Sequence, residues 1–158
     1  AIRALAKSNN PNFNYLICGE GKNRKYLLEL AEKLGVGKQV KLLGYQSNIA
    51  EVLLACDCFL FTSFREGLPG ALMEAMASGL PCIASRIRGC TDLLDDSDYM
   101  FDPKDADELA DKMKSIVDKS ERLREVTRNS NNVVNFDLDH AIQSLKKIYE
   151  SIEDKRDE

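Results

Sequence analysis

Residues 58–85 read CFLFTSFREGLPGALMEAMASGLPCIAS. Cys58 to Thr62 is a continuous apolar run, the pattern of a strand covered on both faces. A polar loop follows. Pro69 or Gly70 then opens a helical segment that stops at Gly79, and Pro81 to Ser85 supplies a second apolar strand. Pro at a helix start and Gly at its end are the expected punctuation. The stretch is therefore strand, loop, helix, strand.

The same alternation extends in both directions. Toward the N-terminus, Phe13 to Cys18 (FNYLIC) reads as a strand ending at the turn Gly19-Glu20-Gly21. Asn23 to Leu34 carries Leu27, Leu30, Ala31 and Leu34 at helical spacing and stops at Gly35. Gln39 to Leu43 is a second strand, ended by Gly44, and Asn48 or Ser47 caps a short helix through Ala55. Toward the C-terminus, Tyr99 to Phe101 is a short edge strand. Ala106, Leu109, Ala110, Met113, Ile116 and Val117 form one apolar stripe. A charged helix begins near Ser120, and a last one carries Ala141, Ile142, Leu145, Ile148, Tyr149 and Ile152. Strands alternating with helices at this spacing predict an α/β fold, a parallel sheet with helices on both faces. Right-handed crossovers make it Rossmann-like. Residues 1–158 read as one domain, with its core to about residue 135 and a C-terminal helix over 136–158. The chain opens inside a helix, Ala1 to Lys7, whereas a doubly wound sheet starts with its central strand. The expectation is a longer parent protein.

Composition narrows the function classes. The 158 residues are 44% hydrophobic and 30% charged, with a net charge of -4, which is globular and argues against a general nucleic-acid binder. No apolar run approaches the roughly 20 residues of a membrane span. One His precludes a multi-histidine metal centre within the chain. Charge is uneven: residues 1–41 carry eight bases and three acids, while residues 92–158 sum to -8. The first third tolerates a small anionic ligand and the tail repels polyanions. The five cysteines are Cys18, Cys56, Cys58, Cys82 and Cys90. Three lie in apolar runs, and the Cys56-x-Cys58 spacing fits neither a redox CxxC nor a zinc pair. They read as packing residues of a reducing, cytoplasmic compartment.

In such sheets ligands bind beyond the carboxyl ends of the strands. That selects Gly19-Glu20-Gly21, Gly44-Tyr45-Gln46, Thr62 through Gly70 and Ser85 through Cys90. The third is the richest. Gly67 and Gly70 let backbone approach a ligand closely, and a helix starting near Gly70 aims unpaired N–H groups at an anion. Glu66 and Glu74 flank that helix start. Two carboxylates beside an anion site are electrostatically costly unless they accept hydrogen bonds from neutral hydroxyls, as on sugars.

The run Phe61 to Ser85 resembles the signature of the retaining, family-four glycosyltransferases. That signature is an apolar strand, a Ser, a Glu, a glycine-containing turn and a second Glu eight residues on; an Ala-Met, a Gly and a Pro-led strand follow. Here these are Glu66, Gly67, Glu74, Ala75-Met76, Gly79 and Pro81. Gly-Leu-Pro after the first Glu resembles the branch that builds capsular and other surface polysaccharides. Gly19-Glu20-Gly21 is similar to the family's Gly-acid-Gly turn, and Val40 to Tyr45 to its third strand. The likeness runs from Ala1 to about Glu150. It implies the GT-B fold, two Rossmann-like domains facing across a cleft, of which this chain is the C-terminal, nucleotide-sugar-binding one.

The resemblance also implies roles. Glu74 would hold the ribose hydroxyls, and Glu66, the catalytic candidate, would contact the donor sugar near its reacting carbon. Backbone groups of Leu68, Gly70, Ala71 and Leu72 would meet sugar and diphosphate. The base would lie near Gly19 and the backbone of Tyr45 and Gln46. The donor, a UDP-sugar by family habit, is a substrate, and neither cofactor nor metal is implied. The acceptor would be a polysaccharide or lipid-linked glycan. The acceptor domain, and the strand with the Arg and Lys that hold the diphosphate, are expected upstream of Ala1. The parent protein would be cytoplasmic, peripherally associated with the membrane's cytoplasmic face. Without the acceptor domain the chain is expected to be inactive, because transfer requires both substrates in a near-attack pose.

Two alternatives remain at this point: a nucleotide-sugar epimerase of the same fold, and a non-catalytic, receiver-like nucleotide-binding or signalling module. The Glu pair with Ala-Met fits the transferases better. Gly19-Glu20-Gly21 and Thr62-Ser63 stand where a receiver needs acids. Arg65, Arg86 and Arg88 border the site, with Arg88 the best placed for phosphate. Lys22, Arg24 and Lys25 read as a solvated helix start, Asp92, Asp95, Asp96 and Asp98 as surface charge, and His140 as a residue without a motif. Family topology places the strands in the order third, second, first, fourth, fifth, sixth, so the strands from Phe13 and Cys58 would flank the absent first strand. The expectation is a compromised or self-closed sheet.

Overall fold

The computed structural model describes residues 1–95, 97–137 and 142. In chain order its elements are α1 (Ile2–Ser8), β1 (Tyr15–Cys18), α2 (Arg24–Lys33), β2 (Val40–Gly44), α3 (Ile49–Leu54), β3 (Phe59–Phe61) and α4 (Gly70–Ala77). They continue with β4 (Cys82–Ser85), α5 (Arg88–Leu94), β5 (Met100–Phe101), α6 (Ala106–Ser115) and α7 (Lys119–Val133). The predicted α/β alternation holds throughout the described residues, with strand ends one or two residues inside the sequence estimates. His140, Asp96 and most of the last helix, Ala141, Leu145, Ile148, Tyr149 and Ile152, lie outside the described residues.

Every strand pairing is parallel. β1 pairs with β2, Tyr15 opposite Val40; β3 pairs with β4, Phe59 opposite Cys82; β4 pairs with β5, Ala84 opposite Met100. These are the neighbours the sequence predicts, and β5 is the expected edge strand. The expected closure does not occur. β1 and β3 do not pair, so the strands form a two-stranded and a three-stranded sheet. In a parallel ladder alternate residues face alternate neighbours. The N–H of Phe59 donates to Pro81 and that of Gly19 to Gly44, which turns the backbone groups of Leu60, and of Leu16 and Cys18, toward the unpaired edges. The cost shows in burial: β4 is buried at all four positions, whereas β3 is only half-buried, not covered on both faces as its apolar run suggests.

Helices hold the two sheets together. Ile2 and Leu5 of α1 pack with Ala31, Val36 and Val40 on the β2 side, while Ala4 packs with Ile83, Phe101 and Leu109 on the β4–β5 side. Met113 of α6 touches both groups. A third cluster, with Leu72, Ala75 and Met76 of α4 against Cys82, Ala84, Leu93 and Leu94, fills the other face of the larger sheet.

Three local readings are corrected. Asn48 precedes α3 but does not cap it, because its amide donates to the Glu51 carboxylate at 2.6 Å instead of accepting a backbone N–H. Val117 leaves the apolar stripe, since α6 ends at Ser115 and Val117 is 54% exposed. Cys18, in an apolar run, is exposed. The described residues contain no helix long and apolar enough to cross a membrane.

The thiols differ in reactivity for the same reason. Burial pushes Cys58 up to about 12 and Cys90 up to about 11, and pushes Cys82 well above its ordinary value. A raised pKa leaves less thiolate at neutral pH, and the thiolate is the nucleophile. Iodoacetamide at neutral pH is expected to modify Cys18 first and to leave Cys82 and Cys90 untouched until denaturant is added. Peptide mapping by mass spectrometry reads the order; simultaneous labelling of all five would contradict the packing.

Candidate functional site

The carboxyl ends of β1 and β2 turn on glycine. Gly19 and Gly44 have φ of +108° and +72°, backbone that residues with a Cβ rarely adopt. The Gly19 N–H donates to the Gly44 carbonyl at 2.7 Å and closes the end of the ladder. Ile17 to Gly21, Asn23, Arg24, Leu27 and Leu42 to Gly44 line a cleft of about 740 Å³ there. Tyr45, 75% exposed, stands at its rim. Gln46 turns back, donating to the Leu43 carbonyl at 2.9 Å.

The second part of the site is the loop from β3 to α4. Pro69 ends it in extended backbone, and no side chain caps α4. The N–H groups of Leu72 and Met73 both donate to the Pro69 carbonyl. Leu72 is fully buried as well, so its backbone N–H is already used. The N–H groups of Gly70 and Ala71 have no partner among the described residues. These two donors, at the positive end of the helix, form the anion-binding element of the site. Gly67 and Gly70 do not adopt left-handed backbone, and a Cβ on either would meet nothing. The fold itself does not require glycine at these two positions, and their bareness leaves the space above the helix start open.

The two carboxylates occupy this element unequally. Glu66 accepts a hydrogen bond from Ser63 Oγ at 2.7 Å, which ties it to the end of β3. Glu74, in the second turn of α4, is exposed, and its carboxylate has no hydrogen bond or ion pair among the described residues. Leu68 and Phe64 are 51% and 67% exposed beside them. Arg65, Glu66, Gly67, Arg88 and Asp92 line a second cleft of about 630 Å³. Arg88 thus lies with Glu66, as expected, and so does Asp92, which reads from sequence as surface charge alone. Arg86 points elsewhere, donating to the Met100 carbonyl at 3.3 Å. Cys90 is buried beneath this loop, and burial first, then the Glu66 carboxylate, raises its thiol pKa. No group of three or more metal-ligating side chains is present among the described residues.

Sequence reading missed the contact that shapes this loop. Gly89, buried in the first turn of α5, lies against the backbone of Glu66 and Gly67. A glycine early in a helix gave no signal, because what it touches is twenty-two residues away in the chain.

The family described as "Glycosyl transferases group 1" matches residues 1–133. A capsular polysaccharide biosynthesis glycosyltransferase of Staphylococcus aureus, CapH, is 32% identical over 154 residues, covering 95% of this chain and 42% of that protein. An Escherichia coli UDP-Gal:alpha-D-GlcNAc-diphosphoundecaprenol alpha-1,3-galactosyltransferase is 29% identical, covering 88% of this chain and 37% of its own. The chain therefore spans less than half the length of these relatives. The crystal structure of the Anabaena HepE protein in complex with UDP superposes with a TM-score of 0.81 at 23% identity, over 95% of this chain and 44% of that one. The fold is thus that of the resemblance drawn from Phe61 to Ser85. The epimerase alternative finds no support among these matches.

Proposed function

The chain belongs to the group 1 glycosyltransferases, and from that premise we propose that it is the nucleotide-sugar-binding half of a retaining glycosyltransferase. The whole protein passes the sugar to a polysaccharide or lipid-linked acceptor. The observation that carries this reading is the start of α4. Two unpaired N–H groups, Gly70 and Ala71, lie between an unpartnered carboxylate, Glu74, and an oriented one, Glu66.

Each part has a task in this reading. The N–H groups of Gly70 and Ala71 take the diphosphate, as helix starts do. Glu74 accepts hydrogen bonds from the ribose hydroxyls. The cleft at Gly19, Tyr45 and Gln46 takes the base, with UDP as the nucleotide. Glu66 faces the anomeric carbon, and Leu68 packs beside the sugar. As the diphosphate leaves, positive charge develops on that carbon, and a carboxylate already held in place stabilises it without reorganising. The nucleotide-sugar is a substrate, and the proposal needs no resident cofactor or metal. The acceptor is held by residues outside this chain, in a protein acting at the cytoplasmic face of the membrane.

Titration with UDP, followed by amide NMR, tests the proposal. Gly70, Ala71, Gly19 and Tyr45 are expected to shift together. Glu74→Ala is expected to weaken UDP binding by about 10–100-fold, the worth of hydrogen bonds to a charged group. An unchanged spectrum at several millimolar UDP would overturn the assignment.

A further inference from the structure

The Glu66–Gly67 segment rests on a helix built to receive it. Gly89 is the second residue of α5 and is buried. A Cβ on Gly89 would stand 2.2 Å from the Gly67 carbonyl oxygen, 2.9 Å from its carbon and 3.2 Å from the Glu66 carbonyl oxygen. Carbon contacts ordinarily lie at about 3.5–4.0 Å. The obstacle is backbone, so no side chain can swing aside. Gly89 is not among the residues with positive φ, so helix geometry does not call for glycine, and alanine is the better helix former. Glycine at this position serves the loop rather than the helix.

Glu66 is constrained from its other end by Ser63, whose hydroxyl donates to Oε1 at 2.7 Å. One contact sets the depth of the backbone, and the other sets the direction of the carboxylate. We propose that Gly89 and Ser63 are positioning residues for Glu66: Gly89 by letting the Glu66–Gly67 backbone lie against α5, and Ser63 by orienting the carboxyl group. This inference rests on the catalytic reading of Glu66. Neither residue touches the groups that hold the nucleotide. Gly19, Tyr45 and the N–H groups of Gly70 and Ala71 belong to other segments.

A Cβ at Gly89 forces the loop outward by about 1 Å, and displacements of that size cost about 100-fold in rate. In the full-length protein, Gly89→Ala is expected to lower kcat for a panel of UDP-glucose, UDP-galactose and UDP-N-acetylglucosamine by about 100-fold, leaving KM and UDP affinity within about twofold. Without ligand, the amides of Glu66 and Gly67 are expected to shift while those of Gly19 and Tyr45 stay. Ser63→Ala is expected to lower kcat about tenfold, the worth of one hydrogen bond, and Ser63→Thr to restore it. The Ser63 pair carries the test if Gly89→Ala does not fold. Wild-type turnover in Gly89→Ala, or a loss of UDP affinity equal to the loss of turnover, overturns the positioning role. A wild-type protein that neither binds UDP nor turns over any of these donors overturns the functional reading itself, before any variant is made.

Discussion

Glu66→Gln in the full-length protein is expected to reduce turnover by roughly 10²–10³-fold while UDP binds as before. Glutamine keeps the shape of the side chain and an oxygen able to accept from Ser63 Oγ, which lies 2.7 Å from the native carboxylate. The substitution therefore removes charge and leaves position. Charge matters only when the bond to the diphosphate stretches and the anomeric carbon becomes electron-poor, so the loss falls on kcat rather than on KM. Glu74→Ala should show the opposite split, with UDP affinity lost in proportion to kcat/KM. Steady-state kinetics with UDP-sugars, beside UDP titrations of both variants, separates the two. Glu66→Gln with unchanged kcat would remove Glu66 from the chemistry.

Glu125→Ala is expected to destabilise the domain by about 3 kcal/mol. Helix α7 is polar, KSERLREVTRNSNNV, and the two residues it buries are Glu125 and Asn129. Glu125, 1% exposed, accepts from Ser97 Oγ at 2.7 Å and stands 3.6 Å from Arg128 Nη1. Asn129 donates to the Leu80 carbonyl at 3.0 Å, just past the end of α4. Truncating Glu125 strands the buried Ser97 hydroxyl, removes the carboxylate facing Arg128 and leaves a void. For a domain of this size, about 3 kcal/mol lowers Tm by roughly 6–12 °C. Calorimetry checks it, and a double-mutant cycle with Ser97→Ala isolates the hydrogen bond. A Tm within about 2 °C of the parent would mean that α7 docks without this pair.

The two predictions differ in how early their residues can be recognised. Glu66 and Glu74 are legible from the chain alone, because their spacing along Thr62 to Glu74 places both at one helix start. The partners of that start are not. That the Leu72 N–H goes to Pro69, while Gly70 and Ala71 stay unpaired, follows from how the loop enters the helix. Glu125 and Asn129 are invisible as buried residues. Periodicity reports burial only through apolar side chains, and the groups that make their burial tolerable, Ser97 and Leu80, lie 28 and 49 residues away.

By itself the sequence determined the α/β alternation, the parallel neighbours β1–β2 and β3–β4–β5, and the segments that meet at the carboxyl ends of the strands. Those follow from local patterns: apolar runs, helical stripes, and Gly and Pro at the boundaries. Tertiary structure alone decided that β1 and β3 keep separate edges, with α1 and α6 joining the halves. It alone decided that a polar helix docks through Glu125 and Asn129, and that Gly89 admits the loop carrying Glu66. The physical reason is common to all three. Each depends on backbone or polar groups meeting across a long sequence separation, where the chain's local propensities carry no information about which partner arrives.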